Sequence, residues 1–455
     1  MALLLFLTVC LVLLAGYPVA FTLGGVSLLF AGIGILTGTF EANLLLGFPN
    51  RLFDIVSSST LLAVPLFIFM GVVLERSKLA EDLLANMALA CRRLPMGLGV
   101  SVILVGTLLA ASTGIVGATV VTMGLMSLPI MLKQGYPAPL ASGLICATGT
   151  LGQIIPPSIA LILLNDVIAS AYQQSNLNAG VFDAAVISAG DFFIAAMVPG
   201  LMLVAAYLLY LLLIAKRSGM QVVGASDDST TQDEATKSST LPSAWQLLLS
   251  IAPTLLLIIA VLGSIMKGIA TPTEAAAIGA VCALVLAALR GRLSFKSLSA
   301  SLDQSFRMNA MVFFILIGAS LFSLTFRGFG GEALIEAGLH QLPGGGMTAL
   351  IVVMLCVFVM GFILDFIEIT FIVIPLVGPT LLAMGFDPIW LGIVFALNLQ
   401  TSFLTPPFGF SLFYLRGVAP ASLATTDIYR GVLPFIGIQV LVLGLVILFP
   451  GLVVG

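Results

Sequence analysis

Charged side chains are scarce in this 455-residue sequence: only 8% of its residues are charged, whereas 60% are hydrophobic. An average globular protein has about 25% charged residues, so this scarcity excludes an ordinary water-soluble domain. The five cysteines lack disulfide or metal-binding spacing. The sequence also has no phosphate-binding loop, zinc signature or nucleophile elbow. These absences exclude primary pumps and most intramembrane hydrolases.

Long apolar stretches are abundant instead. A helix crosses a bilayer with about 20 apolar residues, and twelve stretches qualify as membrane segments. Two of them, 97–128 and 347–381, are too long for one span and have glycine or polar residues near the middle, so we predict re-entrant helical hairpins. Two others, 138–164 and 388–415, contain a Pro-Pro pair, which predicts broken helices. The remaining predicted segments are 2–16, 18–38, 55–74, 192–215, 246–266, 272–290, 308–326 and 431–450.

The distribution of Lys and Arg predicts the orientation. If both long segments are re-entrant and the stretch 75–93 is cytoplasmic, 14 of the 17 Lys and Arg residues lie inside. The three outside are Arg51, Lys267 and Arg327. Cytoplasmic loops are enriched in Lys and Arg, so we expect a multi-pass protein of the bacterial inner membrane with a periplasmic N-terminus. The segment 165–191, which has no Lys or Arg, is then a periplasmic loop.

The chain divides into two related halves, 1–217 and 246–455, joined by a hydrophilic cytoplasmic linker at 218–245. Proline and glycine define backbone breaks, so colinear matches between them indicate an internal repeat. The first hairpin would enter from the inside and the second from the outside. We therefore predict an all-α membrane protein with two inverted-topology repeats, as in secondary transporters. The matches at an offset of 250 residues are Pro129 with Pro379, Gly135 with Gly385, and Pro156-Pro157 with Pro406-Pro407.

Backbone oxygens left unpaired at the hairpin tips and proline breaks need partners at membrane depth. Sodium suits carbonyl and hydroxyl oxygens, so we predict sodium sites where each hairpin meets a broken helix. A small organic anion is predicted between them, held by helix N-termini and hydroxyls. The predicted sodium ligands are Ser112, Thr113, Gly114, Gly117, Thr148, Thr150, Gly152, Asp365, Glu368, Thr370, Gln400, Thr401 and Thr405. The predicted substrate-binding residues are Ser112, Thr119, Pro156, Pro157, Ser158, Ser402, Pro406 and Pro407.

Two carboxylates lie inside an apolar run, where they are costly and usually functional. Asp365 and Glu368 are three residues apart, so on a helix they share a face. Proton relay, interhelical hydrogen bonding or pairing with Arg327 are alternatives to sodium binding. Glu274 begins a predicted span, where a helix-capping role is expected. Trp390 is expected at the bilayer interface.

The motifs at these positions also mark a resemblance. Over essentially its whole length the chain resembles the large membrane subunit (DctM-like) of tripartite ATP-independent periplasmic (TRAP) transporters. The stretches that carry the resemblance are 94-LPMG-97, 112-STGIVGATVVTMG-124, 135-GYPAPLASG-143, 149-GTLGQIIPPS-158, 271-TPTEAAAIGA-280 and 401-TSFLTPPFGFSLFYLRGVAP-420. The first hairpin tip reads Ser112-Thr113-Gly114, which departs from the SGS-type pattern of many relatives.

The resemblance implies sodium-driven import of a small organic acid by an elevator motion of the hairpins and broken helices against a scaffold. It also implies two partners, a small membrane subunit and a periplasmic substrate-binding protein. It implies no enzymatic activity and no organic cofactor. Two alternatives remain open from the residues: a binding-protein-independent sodium/carboxylate carrier, and an intramembrane enzyme that uses Asp365 and Glu368.

Overall fold

The computed structural model describes residues 1–77, 79–183, 185–218 and 244–454, so most of the predicted linker 218–245 lies outside the described residues. Within those ranges the chain forms twenty α-helices and four short 3-10 segments. In chain order, α1 to α20 are Ala2–Leu14, Val19–Leu36, Phe48–Ser57, Ala63–Arg76, Leu79–Ala90, Gly97–Thr113, Val116–Lys133, Ala138–Thr150, Ile159–Asn178, Ala189–Ser218, Ala244–Met266, Pro272–Leu289, Phe295–Gly328, Gly331–His340, Gly345–Met360, Phe366–Ile372, Ile374–Ala383, Pro388–Leu404, Phe410–Val418 and Thr425–Leu448.

Six helices, α2, α7, α10, α12, α13 and α20, are each long and apolar enough to cross a bilayer. The pair α16 and α17 also qualifies when the two are taken together, with a bend of 57° between them. Large apolar side chains such as Phe21 and Leu29 are mostly exposed on these helices. An apolar surface of this extent suits lipid rather than water. The chain is therefore an all-α multi-pass membrane protein, as predicted.

Two predicted segment boundaries are wrong. The predicted span 55–74 begins too early, because α3 ends at Ser57 and α4 starts only at Ala63. In between, the Ser58 hydroxyl accepts a hydrogen bond from the Leu61 amide at 3.2 Å, a local turn that competes with helix formation. The predicted loop 165–191 is also helical as far as Asn178, where α9 packs along α17.

Carboxylates cap the starts of two helices. Thr271 and Glu274 form a capping box at the start of α12, as expected for Glu274. Asp365 is the residue before α16 and Glu368 lies in its first turn, and these two carboxylates form a capping box with each other. Trp390 is buried, and its indole N–H donates to the Val446 carbonyl at 2.9 Å; its place at the bilayer interface stays a prediction.

Helices are interrupted at the four places that the sequence marks. In the first hairpin, α6 ends at Gly114, which has a left-handed φ of +62°, and α7 follows almost at once. In the second hairpin, residues 361–365 separate α15 from α16. The pair α8 and α9 is interrupted around Pro156-Pro157, and α18 and α19 around Pro406-Pro407; both Pro-Pro peptides are cis.

The turns after the two hairpins also correspond. Gly135 and Gly385 both have positive φ, of +80° and +92°, and each joins a hairpin to the helix that follows it. Pro129 and Pro379 both lie inside helices, α7 and α17. These features occupy equivalent positions in the two halves, as an internal repeat requires. The inverted relation of the halves and the re-entrant course of the hairpins remain predictions, because no membrane defines the two sides.

Each hairpin packs on the broken helix of the other half. Helix α7 of the first hairpin packs against α19, and α17 of the second packs against α9. Further contacts of α8 with α20 and of α9 with α18 join the two halves. Helices α2, α4, α12 and α13 form a second group that contacts this interlocked unit mainly through α4 and α13.

Candidate functional site

The hairpin tips and helix breaks surround a cavity of about 210 Å³, here called the hairpin cavity. Helices α4 and α13 close its remaining side. Its lining is mostly apolar, and Asp365 is the one charged side chain among the lining residues. The lining residues are Ile68, Gly114, Ile115, Val116, Gly117, Gln153, Ile159, Ala160, Met308, Met311, Val312, Asp365, Phe366, Ile367, Phe403 and Tyr414.

Both halves of the chain contribute equivalent positions to this cavity. Four pairs of lining residues are related by the sequence offset of 250: Ile115 and Asp365, Val116 and Phe366, Gly117 and Ile367, and Gln153 and Phe403. The equivalent positions carry different chemistry, because an isoleucine matches a carboxylate and a glutamine matches a phenylalanine. The two halves therefore contribute corresponding chain positions to the cavity, but the side chains at those positions differ in polarity.

The first hairpin tip is packed too closely for larger residues. A β-carbon on Gly114 would lie 3.0 Å from the Ile159 amide nitrogen, and its positive φ also disfavours other residues. A β-carbon on Gly117 would lie 3.0 Å from the Tyr414 ring. Glycine therefore lets α9 and Tyr414 of α19 approach the backbone of the tip.

Hydroxyl groups behind this tip form a close pair. The Thr113 and Thr119 oxygens are 3.1 Å apart, and each also lies within hydrogen-bond distance of a carbonyl one turn back, at 2.9 and 3.1 Å. When both donate to those carbonyls, their lone pairs face each other. Together with Thr122 and Glu75 of α4, they line a space of about 10 Å³, which is enough for one water or ion.

At the second hairpin tip, the carboxylates stabilise the start of α16. The Glu368 carboxylate accepts from the Asp365 amide at 2.9 Å, and the Asp365 carboxylate accepts from the Phe366 amide at 2.7 Å. This capping box satisfies two amides that have no partner within the helix. Glu368 is buried, whereas Asp365 is partly exposed and lines the hairpin cavity. Arg327 does not pair with either, because its guanidinium contacts Glu332 at 2.7 Å.

The helix breaks are held by serine side chains. Ser158 donates to the Gly152 carbonyl at 2.7 Å and caps α9 by accepting from the Leu161 amide at 3.4 Å. In the second half, Ser402 donates to the Phe358 carbonyl of α15 at 2.7 Å. Carbonyls freed at membrane depth are therefore partly satisfied by the protein itself.

A polar network crosses the core behind the cavity. Thr150 donates to the Ala147 carbonyl at 2.8 Å and accepts from the side-chain amides of Gln400 at 3.5 Å and Gln439 at 3.2 Å. Gln439 also donates to the Tyr207 hydroxyl at 2.8 Å. The Thr150 hydroxyl therefore uses its donor and both lone pairs in this arrangement. Thr150 and Gln400 are related by the sequence offset of 250, so the network joins corresponding positions of the two halves.

The structure distributes the predicted site residues over three places. Gly114, Gly117 and Asp365 line the hairpin cavity. Other predicted residues lie behind it within the hairpins and α8, namely Ser112, Thr113, Thr119, Thr148, Thr150, Glu368 and Thr370. The remainder belong to the broken helices: Gln400, Thr401 and Ser402 lie near the end of α18, and the residues at the two breaks are Gly152, Pro156, Pro157, Ser158, Thr405, Pro406 and Pro407.

Gln153 was missed by the sequence reasoning. It is 2% exposed and lines the hairpin cavity, and its carbonyl oxygen has no hydrogen-bond partner in the described part of the chain. Buried amides are normally hydrogen-bonded, so this side chain is available to a ligand. Its position inside the motif 149-GTLGQIIPPS-158, three residues before the proline pair, was the available signal. Tyr414 likewise lies inside the motif 401–420, whereas Gln439 had no comparable signal, because only tertiary packing brings it to the site.

A sequence model of the family described as "Tripartite ATP-independent periplasmic transporter, DctM component" matches residues 6–452. The chain is 30% identical to the C4-dicarboxylate TRAP transporter large permease protein DctM of Vibrio cholerae, over 98% of this chain and 95% of the relative. It is 28% identical to the protein of the same description from Rhodobacter capsulatus, over 99% and 97%.

One solved structure has the same fold. The crystal structure of the Alcanivorax borkumensis YdaH transporter superposes with a TM-score of 0.64 over 98% of both chains, at 13% sequence identity. At that identity the likeness concerns the fold alone.

The family match covers nearly the whole chain, and the named relatives are transporter permeases rather than enzymes. This confirms the resemblance seen in the sequence motifs and excludes the intramembrane enzyme. The chain belongs to the DctM family, the large permease component of tripartite ATP-independent periplasmic transporters.

Proposed function

We propose that this chain imports a small organic acid, such as a C4-dicarboxylate, across the bacterial inner membrane in symport with sodium. The hairpin cavity is the substrate site. The observation that supports it most directly is that both hairpin tips and both helix breaks contribute equivalent positions to one cavity. Its volume of about 210 Å³ suits a small ligand. The descriptions of the DctM relatives supply the substrate class.

The charge of the cavity supports sodium coupling. Among its lining residues Asp365 is acidic and none is Lys or Arg. An anionic substrate next to a carboxylate in a low-dielectric site is repelled, so a cation must accompany it. Sodium at Asp365, and at the Thr113–Thr119 pair beside Glu75, provides that neutralisation.

The packing of the two helix groups supports a motion of one group against the other. The interlocked hairpins and broken helices move as one unit against α2, α4, α12 and α13, in an elevator motion. Sodium favours the state in which the hairpin tips are closed, because its ligands come together only there. The tripartite description supplies the partners: a small membrane subunit and a periplasmic substrate-binding protein that delivers the ligand.

Uptake into proteoliposomes that contain the chain and its small subunit tests this function. With the binding protein outside, we expect labelled succinate or malate to accumulate only under an inward sodium gradient. Accumulation that is indifferent to sodium would contradict symport. Accumulation without the binding protein would instead identify a binding-protein-independent carrier.

A further inference from the structure

A second cavity, of about 260 Å³, lies between α13 and the interlocked unit and is here called the arginine cavity. One wall consists of α3 and α13 and carries Arg51 and Arg327, and the other consists of α9, α16 and α17. Helix α13 lines both cavities, since Met308–Val312 face the hairpin cavity and Leu316–Arg327 face the arginine cavity. The two cavities therefore follow one another along a single helix.

Arg51 lacks a partner in this cavity. Among the described residues no hydrogen bond or ion pair to its guanidinium is formed, whereas Arg327 is paired with Glu332 at 2.7 Å. Burial, and then the positive charge of Arg327, lowers the pKa of Arg51, although Glu332 and Asp54 act in the opposite direction. A half-buried guanidinium without a partner is costly. A planar carboxylate satisfies it with two parallel hydrogen bonds.

The opposite wall defines the rest of the ligand. Asp166, Ser170 and Gln174 of α9 line it, and Ser320 and Ser323 lie on α13. Asp166 accepts a hydrogen bond from a ligand hydroxyl and repels a carboxylate, so a second carboxylate of the ligand must lie away from α9, on the side of Arg51 and Arg327. The lining therefore suits a small hydroxy acid, with its carboxylate at Arg51 and its hydroxyls towards α9.

We propose that the arginine cavity is a second binding site, in which Arg51 binds the carboxylate of a small hydroxy acid before it reaches the hairpin cavity. The proposal rests on the proposed function, in that the ligand is the transported acid. It adds a site that the substrate occupies before the hairpin cavity, and none of the residues that line this site lines the hairpin cavity. The positive charge of the Arg51 guanidinium makes carboxylate binding there independent of sodium.

Arginine modification tests the site directly. The purified chain with its small subunit, in detergent free of anionic lipid, is treated with phenylglyoxal, and modification of each arginine is followed by mass spectrometry. We expect malate, without sodium, to slow modification of Arg51 by fivefold or more and to leave the exposed Arg292 unaffected. The neutral dimethyl ester of malate should not protect. Protection should persist in Gln153→Leu, whose hairpin cavity is impaired, so that the two sites are distinguished.

Uptake by Arg51 variants provides the second measurement. We expect Arg51→Gln to raise KM by about tenfold with little change in Vmax, and Arg51→Lys to lie between it and the wild type. Lys267→Gln removes one exposed positive charge on the same predicted side and should change neither value.

Equal modification of Arg51 with and without succinate, malate and tartrate would overturn the proposal, as would protection by phosphatidylglycerol alone. If malate protects Arg51 in the wild-type protein but uptake does not depend on sodium, the proposed sodium coupling is wrong and the proposed binding site in the arginine cavity stands.

Discussion

At the scale of single residues, the buried side-chain amide of Gln153 is a polar group of the hairpin cavity that a ligand can bind. Gln153 is held in an apolar lining that it shares with Asp365, and its carbonyl oxygen has no partner in the described part of the chain. Because this oxygen can accept a hydrogen bond from a substrate hydroxyl or coordinate sodium, we expect Gln153→Leu to raise the KM for malate uptake by about twofold to tenfold, since a neutral hydrogen bond contributes about 0.5–1.5 kcal/mol. Kinetics in proteoliposomes measure this. The exposed Gln341→Leu is the matched control, and an unchanged KM in Gln153→Leu would remove the residue from the site.

Asp365 caps α16 and is also a proposed sodium ligand, and two substitutions separate the cap from the proposed ion binding. Asparagine caps a helix about as well as aspartate, so Asp365→Asn should keep the melting temperature while removing the charge. We expect its half-saturating sodium concentration to rise by about tenfold. Asp365→Ala should in addition cost about 1 kcal/mol of stability through the lost cap. Sodium titration of uptake and thermal unfolding report the two effects. Unaltered sodium dependence in Asp365→Asn would exclude the carboxylate as an ion ligand.

At the scale of elements, the close approach at the first hairpin tip is a sensitive point. Gly114 combines a positive φ with a backbone contact to α9, so Gly114→Ala should lower both the melting temperature and the uptake rate. Gly24 lies in the lipid-facing helix α2 with no atom within 4 Å of a built β-carbon. Gly24→Ala should therefore leave uptake unchanged and, by helix propensity, slightly stabilise the protein. Equal behaviour of the two variants would contradict the tight contact.

The elements also show what sequence patterns can predict. Proline pairs, Gly135 and Gly385 act through local backbone geometry, so their effects on the fold could be inferred from their positions alone. The hydropathy of the sequence placed the end of α9 too early, at residue 164. The helix continues through polar residues to Asn178, where α17 packs along it. The burial of Trp390 and its hydrogen bond to the Val446 carbonyl, 56 residues away, had no signal in the local sequence. The partners of Thr150 could not be inferred either, because Gln439 reaches it only through packing.

At the scale of the whole molecule, the proposed elevator motion requires the interlocked unit to move as one body against α13. Ser170 of α9 and Ser320 of α13 line opposite walls of the arginine cavity. In a cysteine-free background, joining cysteines at these positions with a reducible bifunctional reagent should abolish uptake, and reduction should restore it.

A cross-link inside the moving unit is the control for this experiment. A β-carbon on Gly378 of α17 would lie 3.2 Å from that of Ala171 of α9. A disulfide between Ala171→Cys and Gly378→Cys should therefore leave uptake intact. Inhibition by both cross-links alike would contradict motion of α9 and α17 as one unit.

The exchange of packing between the halves has a consequence for biosynthesis. Helices α7 and α8 are complete within the first half of the chain. In the folded protein α19 packs on α7 and α20 packs on α8, so these faces of α7 and α8 have no partner until the C-terminal helices have been synthesised. After insertion, the first half therefore lies in the bilayer without these packing partners. Its first hairpin, which carries hydroxyl groups, must then be covered by lipid or by an insertion chaperone. Truncation near the C-terminus should thus mark the entire nascent protein for proteolysis.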